Sequence, residues 1–296
     1  MSGRKNIDVI VNPAAGSRND GLFDAVVRRL HDKGAAVRCF DTEGPGHATE
    51  LAAKCAREAY ADVIVAAGGD GTINEVARGL LGFPTPLGVL PLGTANVLAI
   101  ELGQKLRVGS VADTLLHGDA KLIGTGLVNG EMFLLMVGAG FDGAVVGAIQ
   151  PSMKRRFGKL AFVFEGLKTW LKGPGYPISV VVDGELQDAA WVVVTNARHY
   201  AGPFVLAPTV DIADPHLQAF ICQKHSRLAF AGYFLGLAFG QIAHMPGVHV
   251  SGFQELELSS VGPVPVPVEV DGDAFQNLPL TISRGTQFLR LVVPQA

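Results

Sequence analysis

The sequence predicts an α/β domain on a mostly parallel sheet, followed by an antiparallel β-sandwich with helical insertions. Three observations carry that fold class. Short apolar runs alternate with longer helical patterns through the first third of the chain, which is the signature of βαβ units. After about Gly118 the pattern changes to short strand-like runs with regular turn signals, as in a sandwich or barrel. Between the apolar run Val63–Ala67 and a helical pattern from Ile73 lies Gly68-Gly69-Asp70-Gly71-Thr72. Glycines that end a strand and open a helix bring backbone N–H groups close to an anion. The expected boundaries are 1–120 for the α/β domain, 121–284 for the sandwich and 285–296 for a segment returning to the first domain.

The elements follow in order. Ile7–Val11 reads as a buried strand, and Gly21–Lys33 as a helix with Leu22, Val26, Val27 and Leu30 on one face and Asn19 or Asp20 as its cap. Ala36–Phe40 is a strand, Ala48–Ala59 a helix, Asp62–Ala66 a strand, Ile73–Leu80 a helix and Leu87–Leu90 a strand. In the second half, Leu122–Val128 and Met132–Val137 form a hairpin across Asn129-Gly130, and Ile178–Val182 and Trp191–Thr195 another across Asp183-Gly184. Strands follow at Phe204–Ala207, Gln218–Cys222, Leu256–Ser259, Val266–Val270 and Phe288–Val293, with helices at 153–171 and 226–242. Val261–Pro267 is a turn or an edge, because proline cannot donate within a central ladder.

Composition narrows the function. The chain has 296 residues, 48% of them hydrophobic, enough for a sizeable core. Its 24 basic and 27 acidic residues give a net charge of −3, which excludes bulk attraction to nucleic acid. Contact with an anionic membrane then needs a local basic patch, and Met153–Lys159 is one. The Leu228–Ala243 segment, rich in Phe, reads as core or dimer packing, with acyl-chain entry as the alternative. Three cysteines without C-x-x-C spacing suggest a reducing compartment, and no signal peptide or spanning helix is expected, which makes a cytoplasmic protein the expectation.

Three early strands end in loops rich in Gly, Asn and Thr: Asn12–Ser17, Gly68–Thr72 and Pro91–Asn96. In a parallel sheet all three lie at the carboxyl edge, where open α/β sheets bind ligands. Thr72 and Glu75 also fit a capping box, Asn96 fits a cap on a helix near Val97, and Asn12-Pro13 fits an ordinary turn. None of these explains Gly68-Gly69-Asp70-Gly71 as a unit.

At these residues the chain resembles the diacylglycerol kinase catalytic-domain family, soluble bacterial lipid kinases related to sphingosine and ceramide kinases. Gly68–Thr72, Asn74-Glu75 and Leu90–Asn96 carry the likeness. Asn12-Pro13-x-x-Gly16, Thr42–Ala48, Gly138–Asp142 and Asn196–Pro203 fit the same pattern. The resemblance implies a lipid kinase that moves the γ-phosphate of MgATP to the hydroxyl of diacylglycerol or a related lipid. It implies that ATP lies in a cleft between the two domains, lined by Asn12, Pro13, Gly16, Ser17, Thr42, Gly68, Gly69, Asp70, Gly71, Thr72 and Thr94. Asp70 would hold Mg²⁺. The general base would be Asp273 of Asp271-Gly272-Asp273, where the family has glutamate. A structural Mg²⁺ would be held by the Asp214 carboxylate and the main-chain oxygens of Asp211 and His216, in a loop where Pro215 replaces the family's glycine. The implied partners are a lipid substrate and a transient membrane contact, with a homodimer left open. An NAD kinase shares the Gly-rich loop, and a homologue that binds nucleotide or lipid without turnover is the third alternative.

Overall fold

The computed structural model describes residues 3–14, 20–149, 159–173, 175–214 and 216–295. The chain forms two compact units, Met1–Ile123 with Gln287–Ala296, and Gly124–Thr286. In chain order the first unit contains β1 (Asn6–Val11), α1 (Asp20–Asp32), β2 (Ala36–Asp41), α2 (His47–Glu58), β3 (Val63–Gly68), α3 (Asp70–Leu80), β4 (Leu87–Pro91), α4 (Val97–Glu101), α5 (Val108–His117) and β5 (Asp119–Ile123). The second contains β6 (Gly126–Val128), β7 (Glu131–Phe133), β8 (Met136–Ala139), α6 (Phe141–Ala148), α7 (Lys159–Lys172), β9 (Ile178–Val182), β10 (Glu185–Ala189), β11 (Trp191–Thr195), β12 (His199–Tyr200) and β13 (Phe204–Val205). It continues with β14 (Gln218–Cys222), α8 (Arg227–Ala238), β15 (Val248–Gly252), β16 (Glu255–Ser260), β17 (Val268–Val270), β18 (Asp273–Ala274) and β19 (Leu280–Arg284). The last strand, β20 (Leu289–Val293), belongs to the first unit.

The first sheet runs β2-β1-β3-β4-β20-β5, parallel except where β5 meets β20. All six residues of β3 are buried, as a central parallel strand covered on both faces requires. Val26 and Leu30 of α1 and Val111 and Leu115 of α5 pack with Ile7, Val9, Val63 and Val65 on one face of the sheet. Asp8 is fully buried in β1 and is held bidentately by Arg38 of β2, with both contacts at 2.7 Å. The Arg38 guanidinium lies 4.1 Å from the centre of the Tyr60 ring. Burial of a charge is tolerable only with such a partner. On the opposite helical layer α2 and α3 pack closely because Gly79 has no side chain, and a Cβ there would stand 2.4 Å from the Thr49 carbonyl oxygen.

The second unit is a sandwich of two antiparallel sheets, β10-β9-β16-β19-β6-β7 and β15-β14-β11-β8-β17-β18. Val180, Leu256, Leu280 and Ile282 of one sheet and Val137, Val192, Val194 and Val268 of the other fill the core between them. On the outer face of the second sheet, Trp191 packs with Phe141 of α6 and with Phe230 and Tyr233 of α8. No described helix is long and apolar enough to cross a membrane, and Cys39, Cys55 and Cys222 are all free thiols.

Two expected hairpins are corrected. Asn129 and Gly130 do form a tight turn, both with positive φ, but it joins only β6 to β7. Leu122 belongs to β5 in the first unit, and Met136 begins β8 in the other sandwich sheet. The run breaks at Leu134-Leu135 because the Asp271 carboxylate captures the amides that a continuing ladder would use. Across Asp183-Gly184, β9 pairs with the polar edge strand β10 and not with Trp191–Thr195, which crosses to the second sheet. The expected strand at 204–207 is only the two-residue β13. The sequence reading contains neither strands β10, β12, β15, β18 and β19 nor helices α5 and α6. Asn19, one of the two residues expected to cap α1, and the part of the expected helix at 153–158 lie outside the described residues. Replacing Gly79 with alanine is expected to lower the unfolding free energy by about 1–3 kcal/mol, since the clash is with backbone and cannot be relieved by a rotamer change. Urea denaturation of the variant against wild type measures it.

Candidate functional site

At the carboxyl edge of the first sheet the structure brings four loops together. The Asn12 amide N–H donates to the Ala67 carbonyl, and the Asn12 side chain donates to Thr72 Oγ1 at 3.0 Å. Asn12 Oδ1 accepts from the Ala14 N–H, which turns the chain after β1. The Leu92 N–H donates to the Gly68 carbonyl at 2.8 Å. Gly69 and Gly93 meet backbone to backbone, and a Cβ on Gly93 would stand 2.5 Å from the Gly69 Cα. Gly68 is equally constrained, since its Cβ would lie 2.5 Å from Thr72 Oγ1. The glycines are therefore required for the close approach of two loops as well as for approach to a ligand.

The capping readings fail in an informative way. Helix α3 already begins at Asp70, so Thr72 lies inside its first turn, and its hydroxyl accepts from Asn12. Glu75 reaches away from its own helix and accepts the N–H groups of Gly46 and Ala48 at 3.0 and 3.2 Å, satisfying the start of α2. This fastens the 42–48 loop, with half-buried Thr42, to α3. Asn96 is left-handed at the start of α4 and makes no side-chain cap. Its Nδ2 donates to the Gly93 carbonyl, while its buried Oδ1 accepts no hydrogen bond among the described residues. The Asp70 carboxylate instead accepts the Leu98 N–H of α4 at 3.3 Å. Asp70, Asn96 and the bare Gly69–Gly93 contact thus form a small floor of hard oxygen donors and half-buried backbone. These groups suit a magnesium–phosphate ligand in chemistry. Thr94 and Gly71 are half-buried beside this floor in sequence, Pro13 is exposed, and Gly16 and Ser17 lie outside the described residues.

The second group of candidate residues lies in the sandwich. Asp271 and Gly272 form a two-residue turn, both at positive φ, between β17 and β18. The Asp271 carboxylate is buried and accepts three backbone N–H groups, from Leu134 and Leu135 at 2.7 Å and from Met136 at 2.9 Å. Its role is structural: it holds the crossover between the two sheets. Asn196 holds the other side of that crossover, donating to the carbonyls of Leu134 and Gly124 at 2.9 Å. Asp273, by contrast, is exposed at the start of β18 and its carboxylate makes no hydrogen bond or ion pair among the described residues.

Beneath this turn lies an acidic cluster that the sequence reading missed. Glu269 of β17 is buried, and its carboxylate accepts the Gly272 N–H at 2.7 Å. Asp142 of α6 is buried opposite it, accepting hydrogen bonds from Trp191 Nε1 at 3.0 Å and from the Tyr200 hydroxyl. Gly138 separates the two carboxylates, since a Cβ there would stand 2.5 Å from Asp142 Oδ2 and 2.8 Å from Glu269 Oε1. Burial pushes Asp142 up to about 6, against the two hydrogen bonds that favour its charged form. Burial pushes Glu269 well above the usual carboxylate range, and the charge of Asp142 pushes it further. The available signal was the carboxylate inside Val268-Glu269-Val270, a strand whose three residues are all buried.

In the loop expected to hold a structural metal, the Asp214 N–H donates to the Asp211 carbonyl at 2.7 Å, and Asp211 Oδ1 accepts from the Ala213 N–H. The Asp214 carboxylate is paired with the His216 ring, so a cation at that carboxylate would have to displace the imidazole. No group of three or more His, Cys, Asp or Glu side chains suited to a metal occurs among the described residues. Pro215 lies outside them.

The chain thus joins an α/β unit with a glycine floor at its carboxyl edge to a β-sandwich carrying an exposed carboxylate. Its similarity to known proteins gives the class, a two-part kinase. Residues 6–128 match the diacylglycerol kinase catalytic domain, and residues 135–296 match the YegS C-terminal NAD kinase beta sandwich-like domain. A diacylglycerol kinase of Bacillus subtilis strain 168 is 31% identical over 76% of this chain and 76% of its own. One from Staphylococcus saprophyticus is 27% identical over 98% of this chain and 96% of its own. The fold matches a crystal structure of a diacylglycerol kinase from Bacillus anthracis str. Sterne, with a TM-score of 0.74 at 21% identity, covering 98% of this chain and 97% of that one. A second structure from the same organism gives a TM-score of 0.82 at 22% identity, covering 99% and 96%. The chain belongs to the bacterial diacylglycerol kinase family and is a kinase.

The acidic cluster sets a pH dependence. The folded protein retains protons on Asp142 and Glu269 that the unfolded chain releases near pH 4, so their contribution to stability is full below about pH 4 and is lost as pH rises through about 6 and beyond. Glu269→Gln keeps an acceptor for Gly272 and removes the charge. It is expected to gain on wild type as pH rises from about 5 to about 8. Guanidinium unfolding of both proteins across that range measures the difference.

Proposed function

We propose that this kinase uses ATP to phosphorylate the hydroxyl of diacylglycerol or a closely related lipid. The observation that carries the reading is the floor at Gly69, Gly93, Asp70 and Asn96, where two glycine loops touch and the buried Asn96 Oδ1 has no donor among the described residues. Such a floor offers backbone and hard-oxygen contacts to a triphosphate, in a chain without the lysine of a Walker A loop. The names of the similar proteins from Bacillus and Staphylococcus, diacylglycerol kinases, support the choice of acceptor.

In this mechanism the loops of the first unit hold the phosphates, with Thr72 positioned by Asn12 and Asp70 fixed at the start of α4. Asp70 would hold Mg²⁺, which when bound neutralises charge on the phosphate oxygens. The Asp273 carboxylate accepts the proton of the lipid hydroxyl. The hydroxyl oxygen attacks the γ-phosphorus, the bond to the β–γ bridging oxygen breaks, and ADP leaves with the bonding pair. Asp273 suits the role because it is exposed and unpaired among the described residues, whereas Asp271 is consumed by three backbone donors. Asp273 is one methylene shorter than the family's glutamate, so the substrate hydroxyl must approach the turn more closely.

The sandwich match to a domain named for NAD kinase makes NAD the alternative acceptor. Incubation with γ-labelled ATP, Mg²⁺ and a panel of diacylglycerol, ceramide, sphingosine and NAD decides between them. Label is expected in diacylglycerol or another lipid, and Asp70→Asn is expected to lower kcat/KM by about tenfold or more. Label in NAD alone, or in no acceptor with a folded protein that binds ATP, overturns the reading.

A further inference from the structure

The turn that carries Asp273 is held from two sides. On one side the Asp271 N–H donates to the Met136 carbonyl at 2.9 Å, and the Asp271 carboxylate takes the amides of residues 134–136. On the other side the Gly272 N–H donates to Glu269 Oε2 at 2.7 Å. Only the dihedrals of Gly272 separate that held peptide plane from the one that enters Asp273. Glycine restrains its own dihedrals least of all residues, and at Gly272 φ is 86°. The direction in which the chain enters Asp273 is therefore set by what grips the Gly272 amide. The Asp273 carboxylate makes no hydrogen bond or ion pair of its own among the described residues.

Glu269 can act as that grip because it is itself confined. It is buried in β17, directly opposite Gly138 of β8 in the sheet register. Helix α6 lies backbone to backbone on the entry to β17. The Gly140 N–H donates to the Pro267 carbonyl at 2.9 Å, and a Cβ on Gly143 would collide with the same carbonyl. This sets Asp142 of α6 against Glu269. Glu269 Oε1 and Asp142 Oδ2 crowd the same point above Gly138, at 2.8 and 2.5 Å from where a Cβ would stand. The two oxygens of Glu269 thus have separate surroundings, one facing Asp142 and the other gripping Gly272. A side chain locked in this way can hold a neighbouring reactive group in place. Burial and the charge of Asp142 favour the neutral acid, which offers Gly272 an acceptor as a glutamine would.

We propose that Glu269 is a positioning residue for phosphate transfer, fixing through the Gly272 amide the place from which Asp273 takes the lipid proton; the proposal rests on the reading of Asp273 as the base. The test compares Glu269→Met, which keeps the unbranched bulk and removes the acceptor, with Glu269→Gln, which keeps both. Thermal melting checks the fold of each, and Glu269→Ala replaces the Met variant if that one does not fold. With MgATP and a dispersed short-chain diacylglycerol, Glu269→Met is expected to lose about tenfold or more in kcat, with KM for ATP within about twofold. Glu269→Gln is expected to stay within about threefold of wild type in kcat. On an Asp273→Asn background Glu269→Met is expected to cost nothing further, because its effect runs through the missing base. With carbon-13-labelled aspartate, the Asp273 carboxyl resonance is expected to move in Glu269→Met and to stay in Glu269→Gln, whether or not lipid is turned over. An unmoved Asp273 resonance or a wild-type kcat in Glu269→Met overturns the proposal and leaves the base reading standing. So does a Gln variant as slow as the Met variant, or a full additive loss on the Asp273→Asn background. Transfer at the wild-type rate by Asp273→Asn alone removes the base reading, and the proposal with it.

Discussion

The Asp271 carboxylate, with three backbone N–H groups closing on it, is the contact on which the second unit depends. Leu134, Leu135 and Met136 supply those donors at the point where the chain leaves one sandwich sheet for the other. A crossover of this kind would otherwise bury unpaired amides, each a penalty of about 1–3 kcal/mol. The same residue opens the tight turn that ends β17, so one side chain fixes both the sheet exchange and the direction of β18. Asp273, two residues on, inherits a defined position from a contact it does not itself make.

A second constraint operates in the first unit. Gly69 and Gly93 touch where side chains would keep the loops apart, and Glu75, Asn12 and Asp70 each reach across to a neighbouring element. Carboxylates that look like local caps in sequence instead satisfy helix starts elsewhere: Glu75 at α2 and Asp70 at α4. The loops are therefore braced against one another by contacts within the protein alone.

The α/β half was legible because its strands are continuous apolar runs separated by helical periods, and β1, β2, β3 and β4 lie within one or two residues of their expected bounds. The sandwich was legible as a class but not in its pairings. Leu122 to Val137 reads as one hairpin, yet it contributes to three sheets, because what breaks the run is a carboxylate more than 130 residues away. The polar edge strand Glu185–Ala189 carries no apolar alternation to mark it. At the site, the glycine loops announced themselves, whereas the roles of Glu75, Asp142 and Glu269 depend on partners from other elements that no local pattern encodes.

Two neighbouring aspartates thus differ in what they touch: Asp271 builds the turn, and exposed Asp273 is the one proposed to take the proton. The most direct measurement is the single-turnover rate of phosphate transfer from ATP to lipid by Asp273→Asn. The division predicts a variant that melts with wild type, binds ATP as wild type does, and transfers phosphate at least about a hundredfold more slowly, the usual loss when a positioned base is removed. Transfer at the wild-type rate by that variant would contradict it.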